Sequence, residues 1–277
     1  MKKFIIAMLL CAVTAASAAA APLDVFAGQK GKLDIAGGTA HIPVMKEAAK
    51  RIMTKNPDIR ITVAGGGSGV GVKQVGEGLV EIGNTGRPLK KDEIEKYGLV
   101  SFPFAIDGVA VVVNPANKVN ELSFAQLMDI YAGRIKNWKE VGGDDGAINI
   151  YVREDGSGTR EVFTDKAIKK GEVVQSANVV NSNGAMKTAV SKDPRAIGYV
   201  GIGHIDKSVK APRLEGMTAT QDNAANGSYT VVRDLFMNTK GEPAGITKLF
   251  IDYIYTPEGA EIIKDSGYIP IQREKSN

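Results

Sequence analysis

The sequence predicts an α/β fold of two lobes, with mixed, mainly parallel sheets and a ligand cleft between the lobes, and three observations carry that reading. Strand-like runs alternate with amphipathic helical ones along the chain. Three times a strand passes through a loop of small residues straight into a helix. The chain also makes a long excursion between Asn114 and about Gly203, which splits it into a first lobe of 22–114 and 204–277 and a second lobe of 115–203. Alternating strands and helices pack helices against a parallel sheet. Ligands in such folds lie at the carboxyl ends of strands and between domains.

The first strand–loop–helix unit begins with the strand 33–36 and turns through Gly37, Gly38, Thr39, Ala40 and His41, with Thr39 at the tip. Met45, Ala48, Ala49, Ile52 and Met53 then repeat at helical spacing until Asn56-Pro57 ends the helix. In the second unit Ile59–Val63 leads into the glycine loop 65–71, followed by Val72, Val75 and Leu79 on one helical face. Residues 81–88 form a short strand and a turn that carries Arg87. The apolar run 109–113 reads as a strand buried on both faces. Ser123 and Gln126 form a capping box for the helix that buries Leu127, Ile130 and Tyr131. The third unit is the strand 148–152, the loop 153–160 and a helix through Val162, Phe163 and Ala167 that closes at Lys169-Lys170-Gly171. A helix capped at Asn183-Gly184, a buried strand at 196–201 and two helices, the last starting at Thr256-Pro257, complete the chain.

These loops point to an anion. The first N–H groups of a helix have no internal partner, the helix dipole places roughly half a positive charge there, and glycine lets a ligand approach the backbone. Loop 153–160 adds the hydroxyls of Ser157 and Thr159 to Gly156 and Gly158, and loop 65–71 adds Ser68. Two such loops in separate parts of the chain suggest half-sites facing one small anion. Arg87 and Arg153 each sit in a glycine-containing turn beside these loops, where a guanidinium reaches a ligand. Asp107 is the odd member: a carboxylate repels an anion unless that anion has a proton to donate, as hydrogenphosphate has and sulfate at neutral pH has not. Equally, Asp107 caps the turn before Gly108.

Met1-Lys2-Lys3, the apolar run 4–13 and the small residues at 16–21 form a secretory signal peptide, 1–21; the run is shorter than the ~20 residues that span a bilayer. Cys11, the single cysteine, lies within it, so the exported chain has no thiol for a disulfide, a metal or a nucleophile. The formal charge of +4 includes Lys2 and Lys3, and no long basic run is present, which argues against nucleic acid as a partner. The phosphate-cradling nucleotide loop fails because Val72 stands where its lysine belongs; the dinucleotide fingerprint and the nucleophile elbow fail at their glycines. His41 and His204 lack metal-ligand spacing and are expected to be structural or surface residues. No catalytic residue, metal or cofactor is expected.

Taken in order, the loop 65–71, Ala105-Ile106-Asp107-Gly108, Asn114-Pro115, the segment 137–143, the loop 153–160, the strand 196–200, Lys240-Gly241-Glu242-Pro243, Pro257-Glu258-Gly259 and Gly267-Tyr268-Ile269-Pro270 resemble one family. It is that of the periplasmic phosphate-binding proteins of ATP-driven phosphate uptake, the PstS type in its shorter form. The resemblance implies a type II periplasmic binding protein, monomeric and non-catalytic, that closes over one inorganic phosphate and docks on the membrane permease subunits of an ABC transporter. By position, Thr39, Ser68, Ser157 and Thr159 would donate hydroxyl bonds, Gly69 and Gly158 backbone N–H bonds, and Arg153 charge. Asp107 would accept the ligand proton, and Arg87 stands where the longer form of the family carries an acid. Gly38, Ala40 and Gly86 depart from the family pattern, which commonly has Gly-Ser-Thr-Ser around Thr39 and serine before Arg87. Each charge-assisted bond contributes about 1.5–3 kcal/mol, so one lost hydroxyl weakens binding by about tenfold. A receptor for another oxyanion, a sensory binding module and an exported phosphatase or phosphotransferase are the alternatives.

Overall fold

The structure is a computed structural model that describes residues 22–273; the expected leader lies outside the described residues. Strand β1 (Gly31–Gly37) is followed by helix α1 (Ile42–Lys55), whose buried stripe is Val44, Met45, Ala48, Ala49 and Ile52. Pro43 is tolerated in the first turn because the N–H it lacks has no helical partner there. Strand β2 (Ile59–Val63), helix α2 (Gly67–Gly76), strand β3 (Ile82–Thr85) and helix α3 (Lys91–Tyr97) complete the first run of the chain. Both β2 and β3 lie parallel to β1. Gly66, at φ 136°, turns the chain into α2 with a backbone conformation that other residues rarely adopt.

Strand β4 (Leu99–Val113) is longer than the apolar run alone implied and extends through both lobes. Beyond it come strand β5 (Glu121–Leu122) and helix α4 (Phe124–Tyr131), with the expected capping box: Gln126 N donates to Ser123 Oγ at 3.1 Å and Ser123 N to Gln126 Oε1 at 2.9 Å. Strand β6 (Asn149–Arg153) feeds the short helix α5 (Gly158–Val162), which runs on into a π-helical turn at Phe163–Ala167. Then follow strand β7 (Asn178–Val180), helix α6 (Asn183–Lys192), strand β8 (Ala196–Gly201), strand β9 (Arg213–Leu214) and helix α7 (Gln221–Ala225). Ser182, one residue before the expected cap, closes the start of α6 by accepting from Ala185 N at 2.9 Å. Strand β10 (Val232–Lys240), helices α8 (Gly245–Ile254) and α9 (Pro257–Asp265), and strand β11 (Ile269–Pro270) end the fold.

The main sheet has the order β2-β1-β3-β10-β4-β8-β6-β7, with β11 beside β4. Its two wings are parallel, whereas β10 pairs antiparallel with β3 and β4, and β4 antiparallel with β8. The centre is antiparallel because β4 carries the chain out of the first lobe and β10 carries it back.

Two hydrophobic cores lie at either end of this sheet. One holds Leu33, Val44, Phe104, Ala105, Leu235, Met237 and Phe250; the other holds Val109, Val111, Trp138, Phe163, Tyr199, Tyr229 and Val231. The chain therefore changes core within β4, between Ala105 and Val109, and at the start of β10, between Val231 and Leu235. Leu214, Ala219 and Tyr229 belong to the second core, although the sequence reading assigns 204–277 to the first lobe. The return crossing, residues 231–235, contains no proline or glycine, so that boundary has no local sequence signal.

Candidate functional site

A small buried cavity opens between the lobes where β1, β3 and β6 end and α2 begins. Thr39, His41, Ser68 and Gly86 form its wall on the first lobe, and Arg153, Ser157, Gly158 and Thr159 its wall on the second, with Arg233 at the seam. The loop after β6 is fixed by its own chemistry. Ser157 caps α5 by accepting from Arg160 N at 3.2 Å, Arg160 Nη1 donates back to Arg153 O at 2.7 Å, and Arg153 N donates to Tyr199 Oη at 2.9 Å.

Each of the four hydroxyl oxygens here accepts a bond from the protein. Thr39 Oγ1 accepts from Asn183 Nδ2 at 3.0 Å, Ser68 Oγ from Gly86 N at 3.0 Å, Ser157 Oγ from Arg160 N, and Thr159 Oγ1 from Arg233 Nη1 at 2.9 Å. An accepting hydroxyl keeps its own proton to donate. Arg153 is 1% exposed; its Nε and Nη2 donate to Glu154 at 2.8 and 2.7 Å, while its buried Nη1 has no partner among the described residues. Four hydroxyl protons and the two N–H of one guanidinium nitrogen thus remain for a guest, and the first-turn N–H groups of α5 add to them. A buried polar group without a partner costs about 1–3 kcal/mol, so an oxyanion that accepts these bonds is strongly favoured.

His41 is fully buried and contacts Gly38 O through Nδ1 at 3.1 Å. Burial, and then the charge of Arg233, push its pKa down to about 3, so it stays neutral. Burial likewise pushes His204 down to about 4. Among the described residues no group of His, Cys, Asp or Glu is placed to hold a metal, and no helix is long and apolar enough to cross a membrane.

Six of the residues singled out in the sequence, Thr39, Ser68, Arg153, Ser157, Gly158 and Thr159, front this cavity. Three do not. Gly69 N donates to Gly156 O at 3.0 Å, joining the two glycine loops to each other. Arg87 turns its guanidinium away to Glu93, at 2.8 and 2.7 Å, and lies 3.0 Å from Glu161 Oε2 across the cleft. Asp107 is 1% exposed, with its carboxylate accepting from Arg233 Nε and Nη2 and from Ile202 N at 3.1, 2.8 and 3.1 Å. Arg233, the arginine that does reach the cavity from the first lobe, escapes the sequence reading because no glycine or hydroxyl residue stands within two positions of it.

The chain matches the model of the PBP superfamily domain over residues 24–258. It is 38% identical to the phosphate-binding protein PstS of Bacillus subtilis over 244 residues, which cover 87% of this chain and 81% of that one. Among solved structures, one described as a phosphate ABC transporter substrate-binding protein from Clostridium perfringens, with bound phosphate, superposes with a TM-score of 0.83 at 37% identity. That match covers 87% of this chain and all of the other. An ABC-type phosphate transport receptor from Vibrio cholerae gives a TM-score of 0.69 at 36% identity, covering 86% of this chain and 99% of its own. With its two-lobed fold and the cavity between the lobes, the chain belongs to the PBP superfamily and, within it, to the family of the PstS phosphate-binding proteins.

Proposed function

We propose that this protein is the extracytoplasmic receptor of an ABC-type phosphate uptake system, which takes up inorganic phosphate between its lobes and delivers it to membrane permease subunits. One observation carries the reading: four hydroxyls with protons to spare and an unpartnered, buried Arg153 Nη1 converge on a single small cavity. Tetrahedral oxyanions present acceptor oxygens in several directions, which matches donors arriving from both walls. Residues 1–21 support export, and the protein is read as a monomer that binds its ligand without turnover.

The two lobes already touch around the cavity through Thr39 and Asn183, Gly69 and Gly156, and Thr159 and Arg233. Opening the cleft breaks these bonds, and a ligand that bridges both walls favours closure. Calorimetric titration of the exported chain, after unfolding, dialysis and refolding to remove any bound ion, tests the assignment. Micromolar or tighter binding of one phosphate, with a far weaker response to sulfate, is expected; a refolded protein silent to phosphate would overturn the reading.

A further inference from the structure

Asp107 and Arg233 are cross-strand partners in the register of β4 and β10, at the two places where the chain changes core. Their side chains form a buried ion pair, 3% exposed for the guanidinium and 0% for the carboxylate. All three groups in contact with Asp107 are donors, which is what an ionised carboxylate takes and a neutral acid does not. Burial raises its pKa, and Arg233 pulls the other way. The guanidinium extends past Asp107 to the cavity, where Nη1 meets Thr159 Oγ1 on the opposite lobe.

The glycines around this pair are cut to its shape. A Cβ on Gly86 would lie 2.6 Å from Arg233 Nη1, and one on Gly201 would lie 2.6 Å from Asp107 Oδ2. At Gly86 the missing side chain leaves the space that the guanidinium fills.

We propose that Arg233 is a second guanidinium of the oxyanion site, that Asp107 acts through Arg233 as a positioning residue instead of touching the ion, and that Gly86 is small to admit Arg233. This rests on the oxyanion-receptor reading above. It relocates the role of Asp107: the carboxylate aims a donor and does not take the ligand's proton. Because both residues lie on the crossing strands, the same pair links the aim of Arg233 to the closed arrangement of the lobes.

The test is a titration series with phosphate and sulfate on the full exported chain, comparing Asp107→Asn, Arg233→Lys, Arg233→Met and the double variant Asp107→Asn/Arg233→Met. Arg233→Met is expected to weaken phosphate at least tenfold, and Arg233→Lys to recover part of that loss. The double variant removes both charges, so it keeps the interior neutral and is the more secure to fold; it is expected to bind as weakly as Arg233→Met, within about threefold. A double variant restored to native affinity would overturn the proposal and leave Arg233 as a counterion only. Asp107→Asn is expected to weaken phosphate while the ratio of phosphate to sulfate affinity stays within about threefold; collapse of that ratio would put Asp107 on the ligand itself. Gly86→Ser is expected to weaken binding in the native protein and to be neutral or favourable in Arg233→Ala, whereas an equal loss in both backgrounds would count against the packing role of Gly86. If the native protein binds sulfate and not phosphate, the phosphate assignment fails and the same series with sulfate decides the role of Arg233. A native protein that binds neither ion overturns both readings.

Discussion

The two walls of the cavity supply their donors in different ways. On the second lobe everything comes from one short loop: Arg153, Ser157, Gly158 and Thr159 lie within seven positions, and the loop is tied by its own helix cap and by Arg160 to Arg153 O. On the first lobe the wall is assembled from Thr39, Ser68, Gly86 and Arg233, which come from the ends of β1 and β3, the start of α2 and the crossing strand β10. The contrast teaches that one half of the site is a local device that any helix start can carry, while the other half exists only when distant strands are in register. A local device keeps its geometry through local bonds. The assembled wall depends on the lobe as a whole.

The largest expected effect tests the local wall. Arg153→Ala removes the charged donor that this loop turns to the cavity and leaves Glu154 without its partner; truncating a buried, hydrogen-bonded charge costs about 2–5 kcal/mol, so phosphate affinity should fall by about 30-fold or more. A loss below about fivefold by calorimetry would mean that the charge of the site resides elsewhere.

Next comes a direct comparison of the walls, Ser157→Ala against Ser68→Ala. Each should weaken phosphate by about tenfold through loss of one donor to a charged ligand. Each serine also accepts a backbone N–H, Ser157 that of Arg160 and Ser68 that of Gly86, so urea unfolding of the ligand-free protein should show a loss of about 1 kcal/mol or more for both. A loss in Ser157→Ala alone would mean that the assembled wall does not depend on Ser68.

A third prediction concerns His41, on the assembled wall. Its folded pKa of about 3 lies below its ordinary 6.5, so the unfolded chain binds the proton first as pH falls. The stability due to neutral His41 is whole above about 6.5 and is lost as pH falls toward 3, by up to about 1.4 kcal/mol per pH unit. His41→Gln should flatten the decline measured by urea unfolding at pH 7, 6 and 5; parallel curves would rule this out. The smallest effect is expected for Arg87→Ala. Because its guanidinium is engaged by Glu93 and faces Glu161 instead of the cavity, phosphate affinity should change by less than about threefold. A tenfold loss would return Arg87 to the ligand.

Arg87 and Arg233 show where the sequence stops being legible. Arg87 stands in a glycine turn beside an anion loop, the same setting as Arg153, and nothing local distinguishes the two. What separates them is a carboxylate at the start of α3: Glu93 reaches back over the turn and takes the Arg87 guanidinium, whereas the acid beside Arg153 leaves one nitrogen free. Arg233 has the opposite problem. Its neighbours Val232, Asp234 and Leu235 read as an ordinary strand, and only pairing with β4 brings it to the cavity.

The strand–loop–helix units, the caps at Ser123 and Ser157 and the donor set of loop 153–160 were determined by the sequence itself. Helix starts, caps and glycine turns are specified by residues a few positions apart, where local hydrogen bonding and backbone sterics decide the outcome. Tertiary structure alone decided where the chain crosses between cores, which arginine faces the cavity and what holds Asp107. Those outcomes rest on contacts such as Arg233 with Asp107, 126 positions apart, which come into being only when two crossing strands pair and the surrounding core removes water from the charges they carry.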